Sequence, residues 1–311
     1  MNSANEIQNI LKHKNYYNGQ LCNNPTPVDG QSEPEVILYK QYSNNTIEYS
    51  VVIPVFNQEE IIEQNILSVL SHMEGYFEII IILDNCIDKT EPILLNLFNN
   101  VNLTSLVKVI LIKQETPVFE TTCDNIGFIL SSGKYIVEIQ ADMEMTEYGF
   151  NTSLARPFKK YDDIIGVSGR CTHIFGAPVG AGKLGELVSQ PLSDDLDRNT
   201  LYMFGTCNRG PLVLDREKLK SMEFLDEQNY FLDNSDHDLF ARSYYLKGWR
   251  CGYVPIEFNA PLKNGSTRKN TNDGIKELNK YVYDLKLKRA TGGFEKTVHN
   301  RQQVPIEIRS L

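Results

Sequence analysis

"FEIIIILDNCIDKTEPILLNLF", residues 77–98, runs an almost unbroken apolar stretch directly into polar side chains. Continuous apolar runs of this kind are typical of strands that are buried on both faces of a sheet. Asp84, Asn85 and Asp88 follow the apolar run, and their position allows two interpretations. The acids start the next helix, for which Asp88 with Glu91 three residues later is well suited, or the strand end holds a ligand.

The same order of strand and helix recurs around this segment. Apolar runs predict strands at residues 49–56, 77–83, 106–113 and 134–142, and stretches with helical spacing follow the first three. This alternation is typical of a parallel sheet that helices cover on both faces. The predicted fold class is therefore α/β, with a mostly parallel, Rossmann-like sheet flanked by helices.

The helix after the first strand is predicted from its start signal and its apolar face. Asn57, with Glu60 three residues later, favours a helix start at this point. Its buried stripe is expected to consist of Ile61, Ile62, Ile66, Leu67 and Leu70.

Carboxylates are expected to gather at one edge of this sheet, because ligands of open parallel sheets bind beyond the carboxyl ends of the strands. Asp84 ends one predicted strand and Asp142 ends another. The first strand leads into "IPVFNQEE", which contains no glycine, so neither a dinucleotide fingerprint nor a Walker A loop is present. A divalent metal held by carboxylates is the natural substitute for neutralising a diphosphate. Asp142 and Glu144, two residues apart, offer two such oxygen ligands on one side of an extended chain.

Composition narrows the function classes. The chain has 311 residues, a formal charge of −9 and a pI of about 5.2, which argues against a nucleic-acid partner. The sequence shows no apolar signal core and no apolar run of about twenty residues, so a soluble, cytoplasmic protein without a transmembrane segment is expected. Six cysteines are spread without a C-x-x-C pair and are predicted to be reduced thiols.

The chain is expected to form one main domain with two appendages. Residues 47–256 carry the predicted strands and helices. Residues 1–46 are polar and are predicted to form an extension that wraps the domain or is partly mobile. Residues 257–311 are predicted to form a basic loop with a helical tail. The loop contains Arg268 and Lys269. It is expected either to act as a lid over a diphosphate or to be an ordinary solvated loop.

Five segments, in their order along the chain, resemble the family-two glycosyltransferases of the GT-A fold over roughly residues 48–256. The segments are residues 51–70, 79–90, 124–145, 208–227 and 236–255. The family's P-x-Y/F-N-E pattern matches from Pro54 to Asn57, with Glu59 close behind, and its D-N-C-S-D-x-T pattern matches residues 84–90 with isoleucine for serine.

Three further family patterns match with substitutions. R-N-x-G is present with Asp124 in place of the arginine. D-x-D is Asp142-Met-Glu144, and E-D-x-D-L is found at residues 235–239 with Ser235 in place of the first acid.

The resemblance implies a nucleotide-diphosphate sugar donor, most simply a UDP-sugar, lying across the sheet edge. Asp84 would accept a hydrogen bond from the ring N–H of uracil. Pro54, Phe56 and Glu59 would shape the pocket for the base and the ribose. Asp142 would hold Mn²⁺ or Mg²⁺ against the diphosphate.

The resemblance also implies the remaining chemistry. Glu144 would join Asp142 on the metal directly or lie outside its coordination. Asp236 would be the general base that deprotonates an acceptor hydroxyl, with inversion at the anomeric carbon. Asp238, two positions further along a predicted helix, is expected to be structural.

Three other residues are candidates for the acceptor side, each with a structural alternative. Arg209 would reach the acceptor or form an internal ion pair. His237 would line the rim of the site or lie in a surface turn. Trp249, the only tryptophan, is better explained by packing than by stacking on a sugar.

Two alternatives to a working transferase stay open. A degenerate transferase would bind nucleotide sugar or glycan without turnover, which the altered D-x-D and Ser235 would permit. A sugar nucleotidyltransferase would need a glycine-rich, basic loop after the first strand, and "PVFNQEE" is acidic. The acceptor expected from the resemblance is a glycan, a protein or a lipid-linked molecule.

Overall fold

The computed structural model describes residues 4–12, 33–170, 196–227, 230, 235–260 and 305–311. The helices in these ranges are α1 Ala4–Lys12, α2 Ile62–His72, α3 Thr90–Asn100, α4 Phe119–Leu130, α5 Phe150–Lys160, α6 Arg216–Ser221 and α7 Ser235–Lys247. The strands are β1 Glu35–Gln41, β2 Tyr49–Val55, β3 Phe77–Asp84, β4 Leu106–Gln114, β5 Tyr135–Glu138, β6 Glu144–Met145, β7 Ile164–Ser168, β8 Thr200–Phe204, β9 Leu212–Asp215, β10 Arg250–Tyr253, β11 Phe258–Asn259 and β12 Glu307–Ser310.

Ten of these strands form one sheet, in the order β1-β4-β3-β2-β5-β9-β7-β10-β8-β12. The central strands β4, β3, β2 and β5 run parallel to one another. Beyond them, β9 runs antiparallel to both β5 and β7, and β10 runs parallel to β7. The predicted α/β class with a mostly parallel central sheet is confirmed. The strands β6 and β11 pair separately.

The strand order contains a topological switch point. The chain builds β2, β3 and β4 outward in one direction and then returns to place β5 on the other side of β2. In open α/β sheets, ligands bind beyond the carboxyl ends of the strands at such a point.

The strands separate two apolar layers. Alternate residues of β3 point to opposite faces, so Ile79 and Ile81 belong to the apolar layer that includes α2, α3 and α5. Ile80 and Ile82 belong to the layer that includes α1, α4, α6 and α7. Gly127 allows α4 to lie directly on the sheet, because a Cβ atom at this position would be 2.3 Å from Val52 Cγ1.

The appendages contribute strands at both edges of the sheet. Residues 35–41 form β1, which pairs antiparallel with β4, and Val36 N donates to Gln8 Oε1 of α1 at 3.1 Å. Near the other end of the chain, β12 pairs antiparallel with β8. Within the described ranges, no helix is long and apolar enough to cross a membrane. The four cysteines in these ranges are free thiols, as predicted.

Two local predictions for α2 are wrong. The helix begins at Ile62 rather than at Asn57, which adopts a left-handed conformation (φ 49°) and uses its side chain to bridge to the loop after β3. Leu67, placed in the buried stripe, is 44% exposed, whereas Asn65 and Val69 are buried. Asp88 does serve the start of α3, since its Oδ1 accepts from Thr90 N at 3.0 Å.

Candidate active site

The loops after β2 and β3 are tied together by hydrogen bonds. Glu59 N donates to Asp88 Oδ2 at 3.0 Å, and Lys89 N donates to Glu59 Oε2 at 3.0 Å. Asn57 Oδ1 also accepts from Ile87 N at 2.9 Å. These reciprocal bonds fix the two loops relative to each other, so Glu59 has a structural contact in addition to its predicted place in the donor pocket.

Pro54 and Phe56 lie at the carboxyl end of β2, and both are half-buried. Their partial exposure leaves apolar surface at the switch point. This surface suits the face of a base or ribose.

Asp84 is the last residue of β3 and its side chain is buried. Its Oδ1 accepts from Val118 N at 2.7 Å and its Oδ2 accepts from Phe119 N at 3.0 Å, so the carboxylate holds the start of α4. Burial raises the pKa of Asp84 to about 6, although the two backbone N–H donors oppose this shift. Each oxygen of a carboxylate has a second lone pair, so Asp84 retains the capacity to accept one further bond.

Asp142 does not end a strand as predicted, because β5 ends at Glu138 and Asp142 lies in a turn four residues later. Asn65 of α2 holds this turn. The buried Asn65 amide donates from Nδ2 to Gln140 O at 3.1 Å and to Met143 O at 2.6 Å. These two bonds bracket Asp142 from both sides. The position of the Asp142 carboxylate is therefore set by a side chain from α2.

The donor set around Asp142 fits a divalent ion. Asp142 is 7% exposed, and among the residues that the structure describes no hydrogen bond or ion pair engages its carboxylate. Glu144, in β6, accepts from Asn259 Nδ2 of β11 at 3.2 Å through one oxygen. A nearly buried carboxylate that no described residue engages is the kind of oxygen donor that Mg²⁺ or Mn²⁺ prefers.

A second group of charged residues lies on the side of the sheet that α4 covers. It consists of three acids and one arginine and is called the Arg209 cluster: Glu120, Asp124, Glu138 and Arg209. Oxygens of the three acids lie within 4.8 Å of one another, a spacing that also suits a metal. The Arg209 guanidinium is already among them, 2.8 Å from Asp124 Oδ2 and 3.4 Å from Glu120 Oε1. A fixed cation in this place repels a metal ion, so the cluster is an ion-pair site.

One arginine does not neutralise three acids, two of them buried. The pKa of Glu138 is raised to about 7, chiefly by burial and also by the nearby Glu120 and Asp236, while Arg209 and the Gly210 N–H oppose the shift. Burial likewise holds the pKa of Asp124 well above its usual value, with Arg209 opposing. For Arg209, burial lowers the pKa, but the surrounding carboxylates outweigh this effect and keep the pKa above its usual value. The raised pKa therefore favours the protonated form of Glu138 below about pH 7.

The start of α7 carries the predicted base. Asp236 is half-buried in the first turn, and its Oδ1 accepts from His237 N at 2.9 Å. Asp238 is buried and pairs with Arg242 Nε at 2.6 Å, as expected for a structural acid. Arg242 also donates to Met222 O at 2.7 Å, which anchors this part of α7.

The acceptor-side candidates divide according to their surroundings. Arg209 is buried in its ion pairs, so the structural alternative describes it and a direct contact with an acceptor does not. Trp249 is partly buried against the apolar layer, with Lys218 Nζ 5.8 Å from its ring centroid, which agrees with packing. His237 stays a half-buried neighbour of Asp236. Arg268 and Lys269 lie outside the described residues.

The sequence analysis missed Asn65, Glu120 and Glu138. Asn65 carried a usable signal, because a lone amide in an apolar helical stripe needs a buried partner. Glu138 interrupts the apolar run of β5 and gave a similar signal.

The mostly parallel sheet with a switch point in its strand order is that of a doubly wound α/β protein. The chain belongs to glycosyl transferase family 2, whose model matches residues 50–207. The resemblance predicted from the sequence is thereby confirmed. Among curated proteins, no sequence matches the chain.

Solved glycosyltransferases share the fold at low sequence identity. GalNAc-T7 with UDP, GalNAc and Mn²⁺ has a TM-score of 0.51 and 17% identity, over 70% of this chain and 44% of that one. The mannosyltransferase PcManGT from Pyrobaculum calidifontis, with GDP-Man and Mn²⁺, has a TM-score of 0.50 and 13% identity, over 81% and 67%. S. aureus TarS 1-349 with UDP has a TM-score of 0.47 and 15% identity, over 68% of this chain. The chain spans 60% of that TarS chain.

Proposed function

We propose that the protein transfers a sugar from a nucleotide-diphosphate donor to an acceptor hydroxyl, in a metal-dependent reaction with inversion. The observation that carries this proposal is the position of Asp84 and Asp142. They follow the two strands that flank β2 at the switch point, in a chain of glycosyl transferase family 2.

The donor is proposed to be a UDP-sugar. Asp84 would accept from the ring N–H of uracil with a lone pair that the α4 amides do not use. Pro54, Phe56 and Glu59 would line the base and the ribose, and Arg268 and Lys269 would approach the diphosphate. GalNAc-T7 and PcManGT, whose structures contain UDP or GDP-Man, support a nucleotide-diphosphate donor.

The metal is proposed to bind at Asp142, with Glu144 as a second oxygen ligand. When bound, a divalent ion neutralises the diphosphate and stabilises its departure. The structures of GalNAc-T7 and PcManGT contain Mn²⁺, which makes Mn²⁺ the first ion to test. Asn65 would hold the Asp142 turn in position.

Asp236 is proposed to accept the proton from the acceptor hydroxyl. Its place in the first turn of α7 puts its carboxylate beside the partial positive charge of the helix N-terminus. The oxygen that does not hold His237 N is the one available to the hydroxyl. The acceptor is proposed to be a glycan, a protein or a lipid-linked molecule.

Two variants of α7 test the proposal. UDP-sugars and GDP-sugars are incubated with Mn²⁺, and release of UDP or GDP is measured for wild type, Asp236→Asn and Asp238→Asn. Asp236→Asn should keep the melting temperature and donor affinity but lose about 10²- to 10⁴-fold in rate. Asp238→Asn should instead lower the melting temperature, because Arg242 loses its buried partner. Donors that bind to wild type without any release would make the protein a nucleotide-sugar-binding module.

A further inference from the structure

The structure assigns Arg209 and Ser235 a positioning role: they fix the start of α7 and thereby the place of Asp236. Ser235 is the first residue of α7, directly before Asp236, and its side chain is fully buried. Its hydroxyl oxygen accepts a hydrogen bond from the Arg209 guanidinium and another from Thr121 Oγ1 at 3.1 Å. This inference rests on the proposed function, because Asp236 is the proposed base.

Arg209 is itself held from the other side. Its guanidinium is 2.8 Å from Asp124 Oδ2 and 3.4 Å from Glu120 Oε1, and both acids belong to α4. The backbone next to it is fixed as well, since Gly210 N donates to Glu138 Oε2 of β5 at 3.2 Å. Ser235 is therefore connected to α4 directly through Thr121 and indirectly through Arg209.

The planar guanidinium explains why an arginine fits this place. It offers several N–H donors in a fixed fork, so it can meet Asp124 and Ser235 at the same time. The surrounding acids keep it cationic at every physiological pH, so the connection does not depend on titration of the arginine. A lysine would present one compact ammonium and would satisfy one of the two partners well and the other poorly.

Two departures from the family pattern meet at this residue. Asp124 stands where the pattern has arginine, and Ser235 stands where it has glutamate. Both side chains contact Arg209, which comes from a third segment of the chain. The cation that position 124 lacks is thus supplied by Arg209, and an acid at position 235 is not required to connect α7 to α4.

The same helix offers matched controls. Ser243 is also fully buried on α7, but its hydroxyl donates to Leu239 O at 2.7 Å, away from Asp236. Arg242 is also a buried arginine in an ion pair, and it anchors α7 to the segment around Met222. Ser243→Ala should disturb packing as much as Ser235→Ala without touching the first turn. Arg242→Lys keeps a cation opposite Asp238 of the first turn, so neither change removes the connection between Ser235 and α4.

The experiment compares Ser235→Ala, Ser235→Thr, Arg209→Lys, Ser243→Ala and Arg242→Lys with wild type. Melting temperature, calorimetric affinity for UDP with Mn²⁺, and kcat and KM for release of UDP from the best UDP-sugar are measured for each. Ser235→Ala and Arg209→Lys should lower kcat roughly tenfold or more, because small misplacements of a catalytic group have large effects on rate. Their affinity for UDP should stay within about twofold of wild type, and Ser235→Thr should restore kcat because it keeps the hydroxyl.

The outcomes separate this inference from the proposed function. The positioning role is overturned, while the proposed transferase activity stands, if Ser235→Ala and Arg209→Lys keep the kcat of wild type. It is also overturned if the control variants Ser243→Ala and Arg242→Lys lose as much kcat as they do. A wild-type protein that binds UDP but releases none from any donor overturns both. Amide hydrogen exchange at residues 236–239 gives a readout without activity: it should become faster in Ser235→Ala than in Ser243→Ala, and equal rates contradict the inference.

Discussion

Replacement of Asn65 by leucine separates the stability of the fold from the geometry of the proposed metal site. Leucine has a similar volume but cannot donate, so Gln140 O and Met143 O both lose the amide donor of Asn65. Gln140 O keeps the bond from Met143 N at 3.1 Å, and the Met143 carbonyl is the more affected group. The variant loses one ordinary hydrogen bond and leaves one buried carbonyl, that of Met143, without its donor. Together these two changes predict a loss of stability of about 2–4 kcal/mol.

Asn151→Leu is the matched control. Asn151 is likewise fully buried, and its side chain bridges Glu74 through two bonds, from Nδ2 to Glu74 O at 2.9 Å and from Glu74 N to Oδ1 at 3.0 Å. Its replacement should cost a similar free energy of unfolding. The Glu74 contact does not involve the turn that carries Asp142, so UDP affinity in Mn²⁺ should not change.

Two measurements decide the comparison. Chemical denaturation gives the free energy of unfolding, and calorimetric titration with UDP in Mn²⁺ gives the affinity. Asn65→Leu should weaken UDP binding about tenfold or more, because the Asp142 turn is no longer bracketed. Equal UDP affinities in the two variants would refute the argument that Asn65 positions Asp142. An unchanged free energy of unfolding in Asn65→Leu would refute the assignment of its buried bonds.

Two further predictions concern the other acids of the site. Because Asp84 accepts from the ring N–H of uracil, the protein should bind UDP about tenfold more tightly than CDP, whose base presents an acceptor at that position. Asp84→Asn should lose this preference. Equal affinities of wild type for the two nucleotides would make Asp84 purely structural. Glu138 has a pKa of about 7 in the folded chain against a usual value of 4.5, so the folded state holds a proton that the unfolded chain releases, and stability falls as pH rises from about 4.5 to about 7. Glu138→Gln should therefore raise the free energy of unfolding at pH 7.5 by roughly 1–3 kcal/mol relative to wild type, and by much less at pH 5. Chemical denaturation at the two pH values measures both differences. Equal differences would contradict the raised pKa of Glu138.

The central sheet was predictable because its signals are local and strong. The run from Phe77 to Leu83 is apolar at nearly every position, and it forms a strand buried along its whole length. Parallel strands place their carboxyl ends at one edge of the sheet, which is the basis on which the sequence predicts Asp84 and Asp142 as residues of one site.

The start of α2 was not predictable because a tertiary contact overrides a local signal. Asn57 has the right spacing to Glu60 for a capping box, but its side chain bonds the loop after β3 instead. The edge strand β1 was also missed. Its residues 35–41 are only partly buried, and its partner β4 lies far along the chain.

The Arg209 cluster illustrates the same limit at the candidate site. Arg209 and Asp124 are separated by several strands and helices in the sequence, and no local pattern indicates that they pair. The sequence offered the acceptor and the ion pair as alternatives for Arg209, and the burial of the guanidinium decides between them. A single acid within an apolar strand, such as Glu138, indicates that a partner exists but not which residue it is.

The most direct test of the proposed transferase is the metal dependence of donor binding and turnover at Asp142. Wild type and Asp142→Ala are titrated with UDP in Mn²⁺ and in EDTA, and release of UDP from UDP-sugars is measured under the same conditions. Wild type should bind UDP and release it from a donor in Mn²⁺ and should lose both activities in EDTA, whereas Asp142→Ala should be folded and inactive in either. Undiminished UDP binding and release in EDTA, or in Asp142→Ala, would contradict the proposal.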